Sequence, residues 1–402
     1  MRVPTSLEFA RSLTGMTNLR ADVNKYQQQV ASGKRLFTAA EDPVAASQVL
    51  SIGERISSLD QFDRNANLAS LRLSDQETAI DSASSSLQRV RELVLQGRNR
   101  ALSADDRRFV NAEVRQRLQE MVGLANTRNA SGEYIFAGSA VSTIPFSANG
   151  AGGVTYNGDQ TSRELPIAEG RTMPEGFTGS EAFMGIRNGN GSFVAALANA
   201  NTGTGRVIND TVLDPSSFTT DSFSIVFTAA NTFDVMNTTT SGATILSGQT
   251  YTDGAAINFN GSSVAITGKP AVGDAFLISP SQNQSVFTTI SNIITALDTT
   301  ASTSAQSAAL SFSLDRGLSD IDQALNKFAE LKSIIGGRQN TLDSQLQSNG
   351  SLTEQLTKAR STLEDADPVE AISNLARYSQ VLEAAQQAFV KVQGLSLFNY
   401  LR

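Results

Sequence analysis

Hydrophobic residues recur at alternating steps of three and four positions near both ends of the chain. The seam near the carboxyl end consists of Ala371, Leu375, Tyr378, Leu382, Ala385, Phe389 and Val392. The seam near the amino end consists of Met16, Leu19, Val23, Tyr26 and Val30. Helices with this spacing face a partner helix along the seam. We therefore predict that the chain folds back and that its two ends pair, although two ordinary core helices would show the same spacing.

Glycine and proline divide the amino-terminal part into long predicted helices. The first covers about residues 6–32 and is stopped by Gly33. The second begins at Pro43, with Asp42 as its N-cap, and extends to about Leu102. This length exceeds that of ordinary globular helices, which favours a coiled coil or a helical bundle.

The second predicted helix carries its own apolar seam, interrupted by the polar residue Gln76. The seam includes Ala66, Ala69, Leu73, Ile80, Ala83, Leu87, Val90 and Val94. Ser103 and Asp106 have the spacing of a capping box, with Asp in place of the usual Glu. They predict a third helix that ends near Thr127.

The periodicity changes from helical to alternating after Asn129. Apolar and polar residues alternate in four short segments between glycine, asparagine and proline, at 221–227, 255–259, 262–267 and 274–279. This alternation predicts β-strands, and the stretch SGEYIFAGS at 131–139 is also typical of a strand with turns. We expect one or two β-rich subdomains. The polar stretches at 199–214 and 237–250 fit a disordered linker as well.

Helical spacing returns at Ser285, first in a short amphipathic helix. A long helix carrying Leu318 and later apolar residues follows a run rich in serine and threonine. Gly336-Gly337 is predicted to break or bend this long helix. The expected order is therefore three helices, a β-rich part and three helices.

Capping signals predict two further helix starts towards the carboxyl end. Ser351 and Glu354 form a capping box within the sequence SLTE. Asp367-Pro368 places Asp at an N-cap and Pro at the first helical position. The Asp42-Pro43 pair has the same form, so both pairs mark predicted breaks between an outer terminal segment and an inner one.

These elements predict an α+β fold. Both chain ends form a long antiparallel helical, coiled-coil-like rod, and a β-rich insertion occupies the middle. The expected segments are the amino-terminal assembly helix with its irregular link at 1–42, the two halves of the helical rod at 43–136 and 286–367, the β-rich insertion at 137–285, and the carboxy-terminal assembly helix at 368–402.

Composition narrows the chemistry available to the chain. Its 402 residues contain no Cys, His or Trp, which excludes disulfides and nucleophile systems built on histidine or cysteine. The net charge of −7 predicts no general affinity for nucleic acid or anionic membrane. The arginines between 98 and 117 alternate with acids, which favours a solvated or intersubunit face. No transmembrane run or Sec-type signal is evident, so secretion would need another export route.

The remaining polar motifs predict turns and caps. The segments at 157–159 and 188–191 lack the alternating acids of a calcium loop, so turns are expected there. Glu364, Asp365 and Asp367 suit a helix end better than an acid–base pair. We expect no catalytic residue, cofactor or metal ion, and no small-molecule substrate.

Several stretches resemble the bacterial flagellin superfamily. The terminal segments are similar to its inner coiled-coil layer, and SGKRLFTAAEDPVAA at 32–46 is similar to the spoke that joins its layers. GRQNTLDS at 337–344 and the sequence at 359–389 resemble its carboxy-terminal helices. Within the superfamily, four stretches resemble the hook-associated protein 3 family: the opening MRVPTS, the segment at 129–146, the segment at 262–290 and the terminal LSLFNYL.

The resemblance implies a structural subunit of the bacterial flagellum that joins hook to filament. It implies export by the flagellar type III route, with a chaperone at the carboxy-terminal segment, and a position at the hook–filament junction. The implied neighbours are hook-associated protein 1, flagellin and further copies of the chain in a ring. The terminal seams, with Leu397 and Phe398, would then form the assembly interface. A flagellin-type filament subunit, a surface adhesin and an enzyme carried on a helical rod remain as alternatives.

Overall fold

The computed structural model describes residues 5–99, 102–149, 153–240 and 242–400, with the side chains of 5, 6, 8 and 393–400 left out. Six α-helices lie in these ranges. They are α1 (Thr5–Ser32), α2 (Pro43–Gly97), α3 (Ala104–Ala125), α4 (Val286–Asp298), α5 (Ser304–Glu364) and α6 (Pro368–Tyr400). The predicted order of three helices, a β-rich part and three helices is confirmed.

The described β-rich part contains fourteen strands between α3 and α4. The first six are β1 (Phe146–Ala148), β2 (Val154–Tyr156), β3 (Glu164–Ala168), β4 (Arg171–Pro174), β5 (Ile186–Arg187) and β6 (Phe193–Leu197). The next four are β7 (Arg206–Val212), β8 (Phe223–Ala229), β9 (Thr232–Asn237) and β10 (Ala243–Thr250). The last four are β11 (Ala256–Phe259), β12 (Ser262–Thr267), β13 (Ala275–Pro280) and β14 (Asn283–Gln284).

The chain divides into two compact units. The terminal unit comprises Met1–Arg64 and Ser344–Arg402, and the central unit comprises Asn65–Asp343. Helices α2 and α5 each begin or end in one unit and continue into the other.

Helices α2 and α5 run antiparallel in the central unit. Arg91 pairs with Asp322 at 2.8 Å, and Lys332 pairs with Asp81 further along both helices. All eight residues of the seam predicted on α2 are fully buried. Burial of a complete 3–4 stripe is the strongest source of stability that such a long helix has, because propensity alone contributes little.

An aromatic cluster holds α4 and α5 against the turns that follow α3. The Phe183 ring lies 5.0 Å from Phe136, 6.0 Å from Phe287 and 5.7 Å from Phe328. Residues 131–139 form turns in which Phe136 is buried, so the strand predicted there is wrong. The spacing of apolar and aromatic residues in this stretch reflects a packed loop.

The four alternating segments form strands β8, β11, β12 and β13, as predicted. One antiparallel sheet has the order β10-β9-β8-β13-β6, and another has the order β11-β12-β7. Their shared core includes Phe227, Val264 and Phe276, together with Phe312 from α5. Strands β7 and β10 occupy about half of the stretches at 199–214 and 237–250 that had also fitted a disordered linker. Both pair with a more apolar strand, which supplies the hydrophobic partner that their own polar sequences lack.

Helix α5 continues through two positions where an interruption was expected, Gly336-Gly337 and Ser351, so both predictions are wrong. Gly336 and Gly337 are helical, and neighbouring Leu331 and Ile335 are fully buried. Anchoring of this kind outweighs a helix penalty of about 1 kcal/mol per glycine. The Ser351 hydroxyl donates to the Gln347 carbonyl at 3.0 Å instead of capping a new helix.

Candidate assembly interface

Helices α1 and α6 of the terminal unit pack along the two predicted seams. Tyr26 and Tyr378 stack with ring centroids 5.3 Å apart, and Phe9 and Phe389 lie 5.1 Å apart. Residue numbers rise along one helix as they fall along the other between these two contacts, so the pair is antiparallel. The predicted pairing of the two chain ends is therefore confirmed.

Most predicted seam residues are covered only in part by this pairing. Ala371 is buried, whereas the other seam residues that lie towards the partner helix are half-buried: Met16, Leu19, Val23, Tyr26, Leu375, Tyr378, Leu382, Ala385 and Phe389. A two-helix pair covers one face of each helix and leaves the flanks in water. The seam is thus brought together without becoming a closed core.

Two predicted seam residues, Val30 and Val392, lie outside the contact between α1 and α6. Gln29 is buried in place of Val30. Val30 is 41% exposed and Val392 is 66% exposed. Gln29 is buried beside Val30 and donates from Nε2 to the Arg35 carbonyl at 3.2 Å. Hydrophobic periodicity selects the apolar Val30 and not the polar Gln29. The burial of Gln29 depends on its hydrogen bond to the chain that turns back after α1, which the sequence pattern does not show. Leu397 and Phe398 lie outside the described side chains.

The segment after α1 pairs with the segment between α5 and α6. Arg35 donates its backbone N–H to the Glu364 carbonyl at 2.7 Å, and Ala366 donates to the Gly33 carbonyl at 2.9 Å. Lys34 and Asp365 form the antiparallel bridge between these bonds. Gly33 has φ 71°, a left-handed conformation that glycine adopts without strain and that ends α1 here. The two breaks in the helical layers therefore form one structure, which we call the break bridge (residues 33–35 and 364–366).

Both Asp-Pro pairs start helices as predicted. Asp42 accepts the backbone N–H of Ala45 at 3.0 Å, and Pro43 is the first residue of α2. Asp367 accepts the N–H of Val369 at 2.8 Å, and Pro368 is the first residue of α6. Each aspartate satisfies an otherwise unpaired helix donor and faces the positive end of the helix dipole.

Ion pairs reinforce the break bridge. The Lys34 ammonium lies 3.0 Å from Asp365 and 3.1 Å from Glu364, and these carboxylates raise the pKa of Lys34. Hydrogen bonds from the Ser361 hydroxyl and then from Lys34 lower the pKa of Asp365. Burial between the helices and the neighbouring Tyr378 raise the pKa of Tyr26. All three groups keep their neutral-pH charge state more firmly than they would in water.

Large apolar side chains remain exposed on both paired helices. On α6, Val369 is 78%, Ile372 is 55% and Val390 is 66% exposed. On α1, Leu7 and Leu13 are 43% and 48% exposed. Patches of this kind on a helix pair mark an interaction surface. The seam analysis missed Val369, Ile372 and Val390 because they lie on the flanks of the heptad, whereas Leu13 continues the 3–4 spacing of the amino-terminal seam.

The polar motifs form turns and caps in the described residues. Asn190 caps the turn before β6, where its side-chain oxygen accepts the Phe193 N–H at 2.8 Å, and Asp159 accepts the Ser139 N–H at 2.9 Å. Within the described ranges, no cluster of three or more acidic side chains is placed to hold a metal ion. No helix in the described part of the chain is both long and apolar enough to cross a membrane.

Family models match both ends of the chain. The bacterial flagellin N-terminal helical region matches residues 5–141, and the bacterial flagellin C-terminal helical region matches residues 318–401. The flagellar hook-associated protein 3 of Escherichia coli is 30% identical over 186 residues. That match spans 46% of this chain and 58% of the relative's length.

Solved structures match over most of the chain. The Xanthomonas campestris FlgL structure is 36% identical, with a TM-score of 0.68, and the match covers 74% of this chain and 98% of that one. The flagellar junction protein FlgL from Legionella pneumophila is 31% identical, with a TM-score of 0.71, and the match covers 79% of this chain and 99% of that one. These matches leave about a quarter of this chain uncovered by the first structure and about a fifth uncovered by the second.

Proposed function

This chain belongs to the family of the flagellar junction protein FlgL, which is flagellar hook-associated protein 3, and we propose that it is the subunit that joins hook to filament in its own flagellum. The two terminal helices form the assembly interface in this proposal. The β-rich part is a separate folded region carried on the central helices.

The exposed apolar flanks of α1 and α6 carry the proposal. A helix pair that never met a neighbouring subunit would carry polar residues at flank positions such as Val369 and Val390, which are 78% and 66% exposed. Burying one such side chain fully contributes about 1.5 kcal/mol or more. Neighbouring subunits that cover several of these residues on each helix would gain a large driving force for assembly.

The partners follow from the position of such a subunit. Further copies of the chain would form a ring through the terminal units, with hook-associated protein 1 on one side and flagellin on the other. The carboxy-terminal segment would bind an export chaperone before assembly, because its apolar flank must be kept from aggregating. Export through the flagellar type III route and a final location at the hook–filament junction complete the proposal.

A deletion strain tests the junction role. Cells lacking the chain should build normal hooks without filaments and release flagellin into the medium, and the wild-type gene should restore filaments. Filaments that still form on the deleted strain would refute the role. Purified chain that elongates into filaments from seeds would instead identify it as a filament subunit.

Point variants test the interface. Val390→Asp places a charge on the exposed flank of α6 and should abolish filament formation while the purified chain keeps its helical circular-dichroism spectrum. Gln387→Asp is the matched control, since Gln387 is an exposed polar residue of the same helix. Full complementation by both variants would show that this flank is not an assembly surface.

A further inference from the structure

A basic cleft opens in the central unit. It has a volume of about 870 Å³ and lies between the end of α2, the start of α3, strands β7 and β12, and α5. This volume is within the roughly 300–1,000 Å³ typical of small-molecule sites. We call it the arginine cleft, after Arg98, Arg107 and Arg206 in its lining.

The charge of the cleft is opposite to that of the whole chain. Its described lining contains three arginines and no acidic residue, whereas the chain carries a net charge of −7. Asp315 behind the lining serves two of the arginines, since Arg98 Nε lies 2.7 Å and Arg206 Nη1 lies 3.1 Å from its oxygens. One carboxylate cannot satisfy all the donors of two guanidinium groups.

Arg107 differs from the other two arginines of the cleft in its partners. Its Nη1 donates to the Leu102 carbonyl at 3.1 Å, and within the described ranges it forms no ion pair with a carboxylate. Two acids flank the lining: Asp253 accepts the Thr267 hydroxyl at 2.7 Å, and Asp106, next to Arg107 in the chain, accepts the Ser103 hydroxyl at 2.7 Å. Asp315, Asp253 and Asp106 already have hydrogen-bond or ion-pair partners, and none of the three is paired with Arg107.

The rest of the lining fits a ligand with many hydroxyl groups. The lining also contains five hydroxyl residues: Thr204, Thr267, Ser304, Ser307 and Ser311. The hydroxyls of Thr267, Ser307 and Ser311 donate to acceptors within the protein, which leaves their oxygen lone pairs to accept from a ligand. Leu310 and Leu314 supply limited apolar wall, of the kind that the ring face of a sugar covers. A guanidinium group binds carboxylate, phosphate or sulfate with paired hydrogen bonds, and neutral hydroxyls bind sugar hydroxyls.

We propose that the arginine cleft is a binding site for an acidic saccharide, with Arg107 as the main contact to its anionic group. The ligand's carboxylate or phosphate lies against Arg107, within reach of Arg98 and Arg206. Its hydroxyl groups bind the serine and threonine rows. All lining residues of the cleft belong to the central unit, so this proposal does not depend on the assembly role of the terminal helices.

Calorimetry on the full chain tests the site with four probes: glucose 6-phosphate, glucuronic acid, neutral glucose and inorganic phosphate. The two acidic sugars should bind, glucose should not, and phosphate should bind about tenfold more weakly than glucose 6-phosphate because it lacks the hydroxyl contacts. Absence of heat with both acidic sugars at about 10 mM would overturn the proposal, since that corresponds to binding weaker than roughly 3 kcal/mol. Phosphate that binds as tightly as glucose 6-phosphate would overturn the saccharide assignment.

Variants of two neighbouring arginines locate the site. Arg107→Gln should weaken glucose 6-phosphate binding by about tenfold or more, because a charge-assisted contact is lost. Arg107→Lys should recover part of the affinity and so excludes misfolding as the cause. Arg108→Gln is the matched control, since Arg108 pairs with Asp105 at 2.7 Å and does not line the cleft. A loss as large in Arg108→Gln as in Arg107→Gln would place the binding elsewhere.

Discussion

The Lys34 ammonium lies 3.0 Å from a carboxylate oxygen of Asp365, although 331 positions separate the two residues in the chain. This ion pair lies at the centre of the break bridge, where the link after α1 meets the link before α6. Both terminal helices leave the same point, so the ion pair fixes where their antiparallel pairing begins. Local sequence signals place the two breaks between helices correctly. The ion pair shows that the two breaks contact each other in the fold.

Lys34→Met should destabilise the terminal unit modestly. Both partners are about 40% exposed, so solvent screens the pair and the loss should be about 1 kcal/mol or less. The effect should shrink in about 1 M salt, where charge interactions extend only ~3 Å. Because the pKa of Asp365 is lowered, its contribution is present at neutral pH and is lost as the pH falls below the ordinary aspartate range, about 4.

Hydrogen exchange of peptides from α1 and α6 would measure this effect at low and high salt. Lys25→Met is the control, since Lys25 is an exposed lysine of the same helix. Equal losses in the two variants, or a loss unchanged by salt, would contradict the ion-pair explanation.

Gln76→Leu should destabilise the central unit strongly. Gln76 is buried in the α2 seam, donates to the carbonyls of Ile135 and Phe177 at 2.6 and 2.9 Å, and accepts the Phe177 N–H at 2.8 Å. Leucine leaves these backbone groups buried without partners, which should cost about 2–4 kcal/mol in total. Urea unfolding followed by circular dichroism measures the loss.

The exposed Gln88 of the same helix provides the control for this prediction. Gln88→Leu keeps the chemistry of the substitution but removes no buried hydrogen bond, so its effect should stay within about 0.5 kcal/mol. Similar stability of the Gln76 and Gln88 variants would mean that water or a rearranged backbone satisfies the freed groups.

Gln76 also illustrates what could be predicted from the sequence. The α2 seam followed directly from its 3–4 period, and every member is buried. The same period marked Gln76 only as an interruption, because its partners lie about 60 and 100 positions away. Likewise, Gly336 and Gly337 looked like a break because local propensity cannot register the burial of Ile335. The terminal seams were predictable, whereas their exposed flanks depend on how two helices pair.

Asp210→Asn should stabilise the central unit above neutral pH. Burial, with a smaller contribution from Asp320, raises the pKa of Asp210 to about 6. A raised carboxyl pKa means that the folded state binds the proton more tightly than the unfolded chain, so stability is lost as the pH rises from about 4 to 6. Removing the charge should therefore add about 1–3 kcal/mol at pH 8 and little at pH 4.

Hydrogen exchange in β7, which contains Asp210, would follow this stability from pH 5 to 8, after correction for the intrinsic exchange rate. Asp343→Asn is the control, because Asp343 is an exposed carboxyl of the same unit. If the stability of the Asp210 variant changed with pH as steeply as that of the wild type, Asp210 would not titrate in this range.

Two glycines of α5 should respond in opposite directions to alanine. At Gly337 a Cβ atom meets nothing within 4 Å, so Gly337→Ala should stabilise the helix by about 0.5–1 kcal/mol through its better propensity. At Gly317 a Cβ atom would lie 2.6 Å from Ile293 Cγ1 of α4, so Gly317→Ala should cost about 1–3 kcal/mol through overpacking. Thermal unfolding of both variants measures the contrast. If Gly337→Ala also destabilised the protein, α5 would have to bend at Gly336-Gly337 in solution, because only a non-helical glycine resists the substitution where space is open.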